Sequence, residues 1–327
     1  MDPEVSLLLH CETWRGLRQS QVRVELSERY NRQTDADLER HIAEVWAARV
    51  SKEPWLFNGA KFRLHSFRLA SPATELSRCR QSRRGSTDKE TLDVPLLTLR
   101  VGLTSYKDYL GTNWSSAVAD LRRRGKADFG GGDALLAQPL GVGAIMCTGD
   151  KRVVLIRRSQ KVAEAGEKLD IPGGHPEPKL VCESLGEETI TMNLLEKSPE
   201  AVVSELFLSV CAEIRDEVNV PLSSLGEPLL MGVALNHTSA GRPSAEFYVS
   251  CSLSSAEVKA LYWKGGAEAS ESTDIVFLDK VEVLGLDRGS PLWAELCPSA
   301  KGAVLLYQRV KPDAETRGEE SGARRSH

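Results

Sequence analysis

The chain has 327 residues, 41% of them apolar and 27% charged, with a formal charge of −4. This reads as a globular protein with room for one large or two modest cores. It excludes a membrane-spanning chain, because no apolar run approaches the roughly 20 residues a bilayer requires, and it offers no general attraction to nucleic acid.

The opening residues Met1-Asp2-Pro3-Glu4-Val5 are acidic, and Leu7-Leu8-Leu9 is too short a run for a secretory signal. The expected location is therefore intracellular, cytoplasmic or nuclear, and not secreted. Seven cysteines without a Cys-x-x-Cys pair read as reduced thiols. Strands are expected near Val5 to His10 and Val22 to Leu26. Leu38, Ile42, Val45, Trp46 and Val50 then form the apolar stripe of a helix from about Asp35 to Val50. The alternating stretch Phe62 to Leu69 reads as a strand. Phe57 just precedes the turn signal Asn58-Gly59, which leaves its ring at an edge where it either packs or stacks on a flat base.

Residues 71–93 are rich in Ser, Arg, Thr and Glu and read as a surface insertion, its arginines offset by Asp88 and Glu90. A strand from Leu96 to Leu103 leads to Tyr106, which at a strand end either packs structurally or offers its ring and hydroxyl to a base or ribose. A helix is expected over Trp114 to Arg124, capped by Asn113 or Ser115, and Gly130-Gly131-Gly132 marks a domain boundary. Beyond it, two apolar runs flank Gly149-Asp150-Lys151 and read as a hairpin ending in Arg157 and Arg158, which face opposite sides.

The chain's organising stretch follows. It begins with the turn Asp170-Ile171-Pro172-Gly173-Gly174 and closes with a helix whose apolar residues Val203, Phe207, Val210, Ile214 and Val218 recur every three or four positions. Glu213 and Glu217 sit one turn apart beside that buried arc. Two like charges there are unfavourable unless a cation lies between them, and Mg²⁺ suits carboxylates that also meet substrate phosphates. The insertion Lys179 to Glu196 is polar and reads as an excursion. His175 and His237 lie on loops and read as solvent-exposed. Strands are expected at Leu229 to Leu235, Ala245 to Leu253 and Ser270 to Leu278, with Glu246 a candidate further metal ligand. A last helix spans Leu292 to Tyr307, entered through Cys297-Pro298-Ser299, and Pro312 to His327 has the composition of a tail.

The glycine turn and acidic helix together resemble the Nudix box, in which a glycine, a spacer, a Glu, a second spacer, Arg-Glu and a further Glu pair precede a glycine. Glu213 takes the Glu of the Arg-Glu pair, and Asp216 and Glu217 the following acidic pair. The chain departs from the pattern at Ala212, Asn219 and Ser204, with Glu205 one position late, and in the length separating Gly174 from the helix. The stretches Ser105-Tyr106-Lys107-Asp108, Leu110-Gly111-Thr112-Asn113-Trp114, Pro172-Gly173-Gly174-His175-Pro176-Glu177-Pro178 and Thr238-Ser239-Ala240-Gly241-Arg242 look like the UDP-glucose pyrophosphatase branch of that family.

That resemblance implies an α/β Nudix domain over 138–310, an α/β/α sandwich with a mixed sheet. An α+β N-terminal domain over 1–132 would precede it and contribute to the nucleotide pocket, with a tail at 311–327. It implies Mg²⁺ held by Glu213 and Glu217 as catalytic and metal-ligating residues. Phe57, Tyr106, Arg158, Ala163, Asp170 and Ser299 would contact substrate. The implied reaction converts UDP-glucose, and also UDP-galactose, to UMP and the sugar 1-phosphate. The expected partner is thus a small nucleotide sugar, with no nucleic acid and no membrane. The departures keep a second reading open, a nucleotide-binding module with little or no catalysis, and so does another nucleoside diphosphate derivative as substrate.

Overall fold

The structure, a computed structural model, describes residues 2–70, 96–160, 165–186, 189–268 and 270–314. In chain order it runs β1 (Val5–His10), β2 (Val22–Leu26), α1 (Ala36–Lys52), β3 (Ala60–Leu69), β4 (Leu97–Ser105), α2 (Tyr106–Gly111), α3 (Val118–Phe129), β5 (Gly141–Cys147) and β6 (Arg152–Arg158). Two short strands follow, β7 (Leu169–Asp170) and β8 (Gly173–Gly174), then α4 (Pro178–Ser184), α5 (Met192–Glu196) and the long α6 (Pro199–Val218). The chain continues through β9 (Leu229–Asn236), β10 (Arg242–Ser250), α7 (Ser255–Tyr262), β11 (Ser272–Asp279), α8 (Lys280–Gly285), α9 (Pro291–Glu295) and α10 (Pro298–Val310).

Eight strands form one mixed sheet with the main order β1-β9-β10-β5-β6-β11, while β7 pairs with β6 and β8 with β5. The β10–β5 pair is parallel and its neighbours are antiparallel. One face buries α6 through Val203, Phe207, Val210 and Ile214, and the other buries α10 through Ala300, Ala303, Val304 and Tyr307. This is the expected α/β/α arrangement. A second sheet, β2-β4-β3, shares the α6 core through Val22, Val24, Phe62 and Leu99. The strand β1 lies in the larger sheet, antiparallel to β9, so residues from the segment 1–132 build both sheets.

Local chemistry explains the main helix. Pro199 enters at the first turn, where its missing N–H costs nothing, and Glu200 complements the dipole. Asn219 ends it in the left-handed conformation (φ 62°), its N–H reaching the Arg215 carbonyl at 2.8 Å. Asparagine tolerates that conformation better than most residues, so it serves where a glycine is usual. Its side chain also donates to the Leu261 carbonyl at 2.8 Å, docking α7.

Three expectations change in detail. The helix expected over Trp114 to Arg124 begins at Val118 and runs to Phe129. Asn113 and Ser115 are buried, and the Asn113 amide donates to Gln138 at 2.9 Å, joining α2 to the strand that follows. The helix expected over Leu292 to Tyr307 is two, because Pro298 forces Cys297 into an extended conformation and then opens α10. The insertion after Gly174 is more than a polar excursion: α4 and α5 bury Val181, Cys182 and Leu195 in the α6 core. Residues 71–95 and 315–327, which contain most of the expected surface insertion and tail, lie outside the described residues. Just before the latter, Asp313 pairs with Lys280 at 2.7 Å. Among the described residues six cysteines stand outside any disulfide and no helix is long and apolar enough to cross a membrane.

Candidate active site

The last turns of α6 and the β7–β8 elbow meet at one end of the large sheet. The Gly173 N–H donates to Glu217 Oε2 at 2.8 Å. A Cβ on Gly174 would run into the Glu213 carboxylate, so glycine is what lets that helix face press against the elbow. Glu217 is buried and Glu213 half-buried. Burial, then Glu268, Glu271 and Asp216, push the Glu213 carboxyl up to about 7. Burial holds Glu217 well above the usual carboxylate range against the pull of the Gly173 N–H, with Glu213, Asp170 and Glu271 adding to the rise.

Such crowding of negative charge fits a divalent cation. The donors are hard carboxylate oxygens, and their mutual repulsion is the strain a bound cation would relieve. Among the described residues no group of three or more His, Cys, Asp or Glu side chains is gathered so as to hold a metal ion.

A cavity of about 310 Å³ opens above the elbow. One wall is aromatic: Tyr106 stacks on Tyr109 at 6.4 Å, and Tyr109 meets Trp114 at 5.9 Å. Lys61, Arg158 and Arg242 bring positive charge to the same cavity. Arg158 Nη1 donates to Asp170 Oδ2 at 2.9 Å, pairing a half-buried guanidinium with a buried carboxylate. A second compartment of about 300 Å³ adjoins the first and adds Asn236, Thr238 and Ser239. Trp114, Arg158, Asp170, Arg242 and Ser299 line both. Ser299 is placed by the bond from Cys297 N–H to the Leu169 carbonyl, 2.9 Å, which fixes the start of α10 against β7.

Of the residues singled out in the sequence, Glu213 and Glu217 meet at the elbow, and Tyr106, Arg158, Asp170 and Ser299 line the cavity. Phe57 does not line it. Its ring stands 79% exposed on the turn that Asn58 ties to α2 by accepting from the Lys107 N–H at 2.8 Å. Ala163 lies outside the described residues. Glu246 is fully buried on β10 opposite Gly143, and neither of its oxygens meets a hydrogen-bond partner among the described residues. Burial, then Asp170, push it up to about 8 against Ser244 and Arg242.

Sequence reasoning passed over several groups. His175 was expected in solvent, yet it is half-buried, lines the cavity and lies 3.2 Å from Arg242 at the start of β10. Glu205, out of register with the box, accepts from the Glu177 N–H at 2.9 Å and braces the loop leaving the elbow. Lys61 bonds Glu177 at 3.2 Å, and Glu271 lines the cavity from the loop before β11. The Pro172-Gly173-Gly174-His175-Pro176-Glu177 stretch was the available signal for the first two. Nothing local marks Lys61 or Glu271, which arrive from distant segments.

A scan against protein-family models returns no match. Among curated proteins, the chain is 50% identical to the uridine diphosphate glucose pyrophosphatase NUDT22 of Bos taurus over 95% of this chain and 99% of that one. It is 48% identical to the Homo sapiens protein of the same name over 95% and 94%. It is also 34% identical to Nudix hydrolase 9 of Arabidopsis thaliana over 97% and 96%. A solved Nudix hydrolase from Alicyclobacillus acidocaldarius is similar at 12% identity over 54% of this chain and 92% of that one, with a TM-score of 0.35, too distant to add to the argument.

Proposed function

The chain belongs to the Nudix hydrolase family, and from that premise we propose that it hydrolyses the pyrophosphate bond of UDP-glucose, and of UDP-galactose, to UMP and the sugar 1-phosphate. The names of its mammalian relatives support the substrate. The observation that carries the reading is the elbow itself, where Gly173 and Gly174 let Glu217 and Glu213 stand together beside a cleft lined by Arg158, Arg242 and Lys61. The departures from the family pattern also have structural substitutes. Asn219 ends the helix as a glycine would, and Glu205 braces the elbow loop.

The family generally uses a divalent metal, and Mg²⁺ is the proposed ion, held by Glu213 and Glu217. When bound it would neutralise charge on the diphosphate and make a water more acidic. The chain's own residues account for the rest. Arg158, oriented by Asp170, offers N–H groups to phosphate oxygens. Tyr106 and the ring stack behind it offer a flat face to the uracil, and Ser299 a hydroxyl to the ribose or sugar. Phe57, on the turn beside Tyr106, and Ala163 are proposed as further substrate contacts. One water adds across the P–O–P bridge and the bridging oxygen leaves with one phosphoryl group, giving two phosphomonoesters.

The deciding experiment is product analysis over a panel of nucleoside diphosphate sugars with and without Mg²⁺. Release of UMP and glucose 1-phosphate from UDP-glucose, abolished by chelation, is the expected result. Tight UDP binding without turnover would replace the reading with a non-catalytic one.

A further inference from the structure

Arg242 opens β10 and lines both compartments of the cleft. Its Nη1 lies 3.2 Å from His175 Nε2. A guanidinium keeps its protons at any working pH, so it donates and the imidazole accepts, which assigns His175 as neutral with its proton on Nδ1. Burial, then the Arg242 and Lys61 cations, hold the imidazole well below its usual value, in keeping with that assignment.

His175 directly follows the elbow glycines. Two residues on, Glu177 accepts from Lys61 Nζ at 3.2 Å. The loop that presents the elbow thus grips one cation from each neighbouring sheet, Lys61 from β3 and Arg242 from β10, and both line the same cavity. Both arginines are oriented: Asp170 accepts from Arg158, and the His175 imidazole accepts from Arg242. An oriented guanidinium that lines the cleft suits the oxygens of a dianionic diphosphate.

We propose that Arg242 contacts the diphosphate of the nucleotide sugar, and that His175 is the positioning residue that aims its guanidinium. This rests on the hydrolase reading of the same cleft. The pair joins the elbow to the boundary between the compartments, so the carboxylates and the arginine approach the pyrophosphate from different sides. Arg242 supplies binding, and His175 acts only through it.

The test is a double-mutant cycle read by steady-state kinetics on UDP-glucose and by calorimetric binding of UDP. Arg242→Gln and His175→Leu should each raise KM and the UDP dissociation constant by about tenfold or more. The double variant should be no worse than Arg242→Gln alone, because the histidine has no effect without its arginine. His175→Gln, which keeps an acceptor near the Nε2 position, should recover most of the loss, a rescue that a purely structural role does not predict. Changes below twofold in His175→Leu, or strictly additive effects, overturn the inference. Failure of the wild-type protein to hydrolyse UDP-glucose overturns the functional reading instead, and UDP binding still tests the pair. Absence of UDP binding as well overturns both.

Discussion

Gly173 and Glu217 are 44 residues apart in the chain, and the backbone N–H of the first donates to Oε2 of the second at 2.8 Å. One carboxylate therefore serves both as the lock of the elbow and as a proposed metal ligand. The two roles separate by substitution. Glu217→Gln keeps an acceptor for Gly173 and should fold, yet lose on the order of 10²-fold or more in kcat/KM with Mg²⁺. Glu217→Ala leaves the N–H unsatisfied and should lose about 1–3 kcal/mol of stability besides. Chemical denaturation and UDP-glucose kinetics on both variants check this. Near-normal turnover in Glu217→Gln would remove the metal assignment.

The Glu213 carboxyl, raised from 4.5 to about 7, predicts a pH dependence in metal-free solution. Between those values the folded protein binds more protons at this site than the unfolded chain does. Its contribution to stability therefore falls as pH rises from about 4.5 to 7 and stays low above. The denaturation midpoint in EDTA should fall across that window. Glu213→Gln should flatten the fall, and millimolar Mg²⁺ at pH 8 should reverse it by binding the folded state alone. An identical pH profile in Glu213→Gln would contradict the coupling.

Glu246, on β10, offers a second linkage. Its carboxyl is raised to about 8, so ionisation in the folded state is opposed up to that pH. The stability of Glu246→Gln relative to the wild-type protein should increase as pH rises from about 4.5 to 8 and level off above, because within that window the unfolded wild-type chain gives up a proton that the folded protein keeps. Parallel melting curves of the two proteins would refute this.

Gly143 faces Glu246 across the parallel pair, and a Cβ there would lie 2.6 Å from Glu246 Oε2 and 2.6 Å from Ile171 Cδ1. Gly143→Ala is expected to cost about 1–3 kcal/mol by overpacking. Because Ile171 leads into the elbow, KM should change with it. A melting temperature equal to that of the wild type would show that the site has slack.

Phe57 and Trp114 separate packing from recognition. Phe57 is 79% exposed, so Phe57→Ala should leave stability within about 0.5 kcal/mol, and any rise in KM reports substrate contact alone. Trp114, at the junction of the compartments, should raise KM by about tenfold when cut to alanine. An unchanged KM in Trp114→Ala would move the ring out of the binding site.

The elements with strong periodicity were legible. The stripe Val203, Phe207, Val210, Ile214 and Val218 found α6, and the glycine pair found the elbow, since both signals are local. What escaped depended on tertiary contact. Asn113 looked like a helix cap because a buried Gln138 partner leaves no mark near it in the chain. His175 looked solvated because Arg242 comes from a strand that follows much later. Lys61 and Glu271 reach the cavity only once both sheets are assembled around α6, and no pattern of spacing encodes that meeting. The pairing of β1 with β9 is equally silent in the sequence, since neither strand carries a mark of the other.

The antiparallel seat of β1 against β9 sets an order on biosynthesis. Its hydrogen-bonding edge stays unfulfilled until the ribosome has delivered a partner more than two hundred residues downstream, a delay of about 10–45 s at ~5–20 residues per second. Meanwhile Lys301, which grips Glu4, and Trp293, whose indole donates to Asp2 at 2.8 Å, have yet to emerge. The stretch that carries Asp2, Glu4 and β1 is thus among the last parts to dock. Substitutions there should disturb the yield of folded protein well before they disturb the chemistry of the finished molecule.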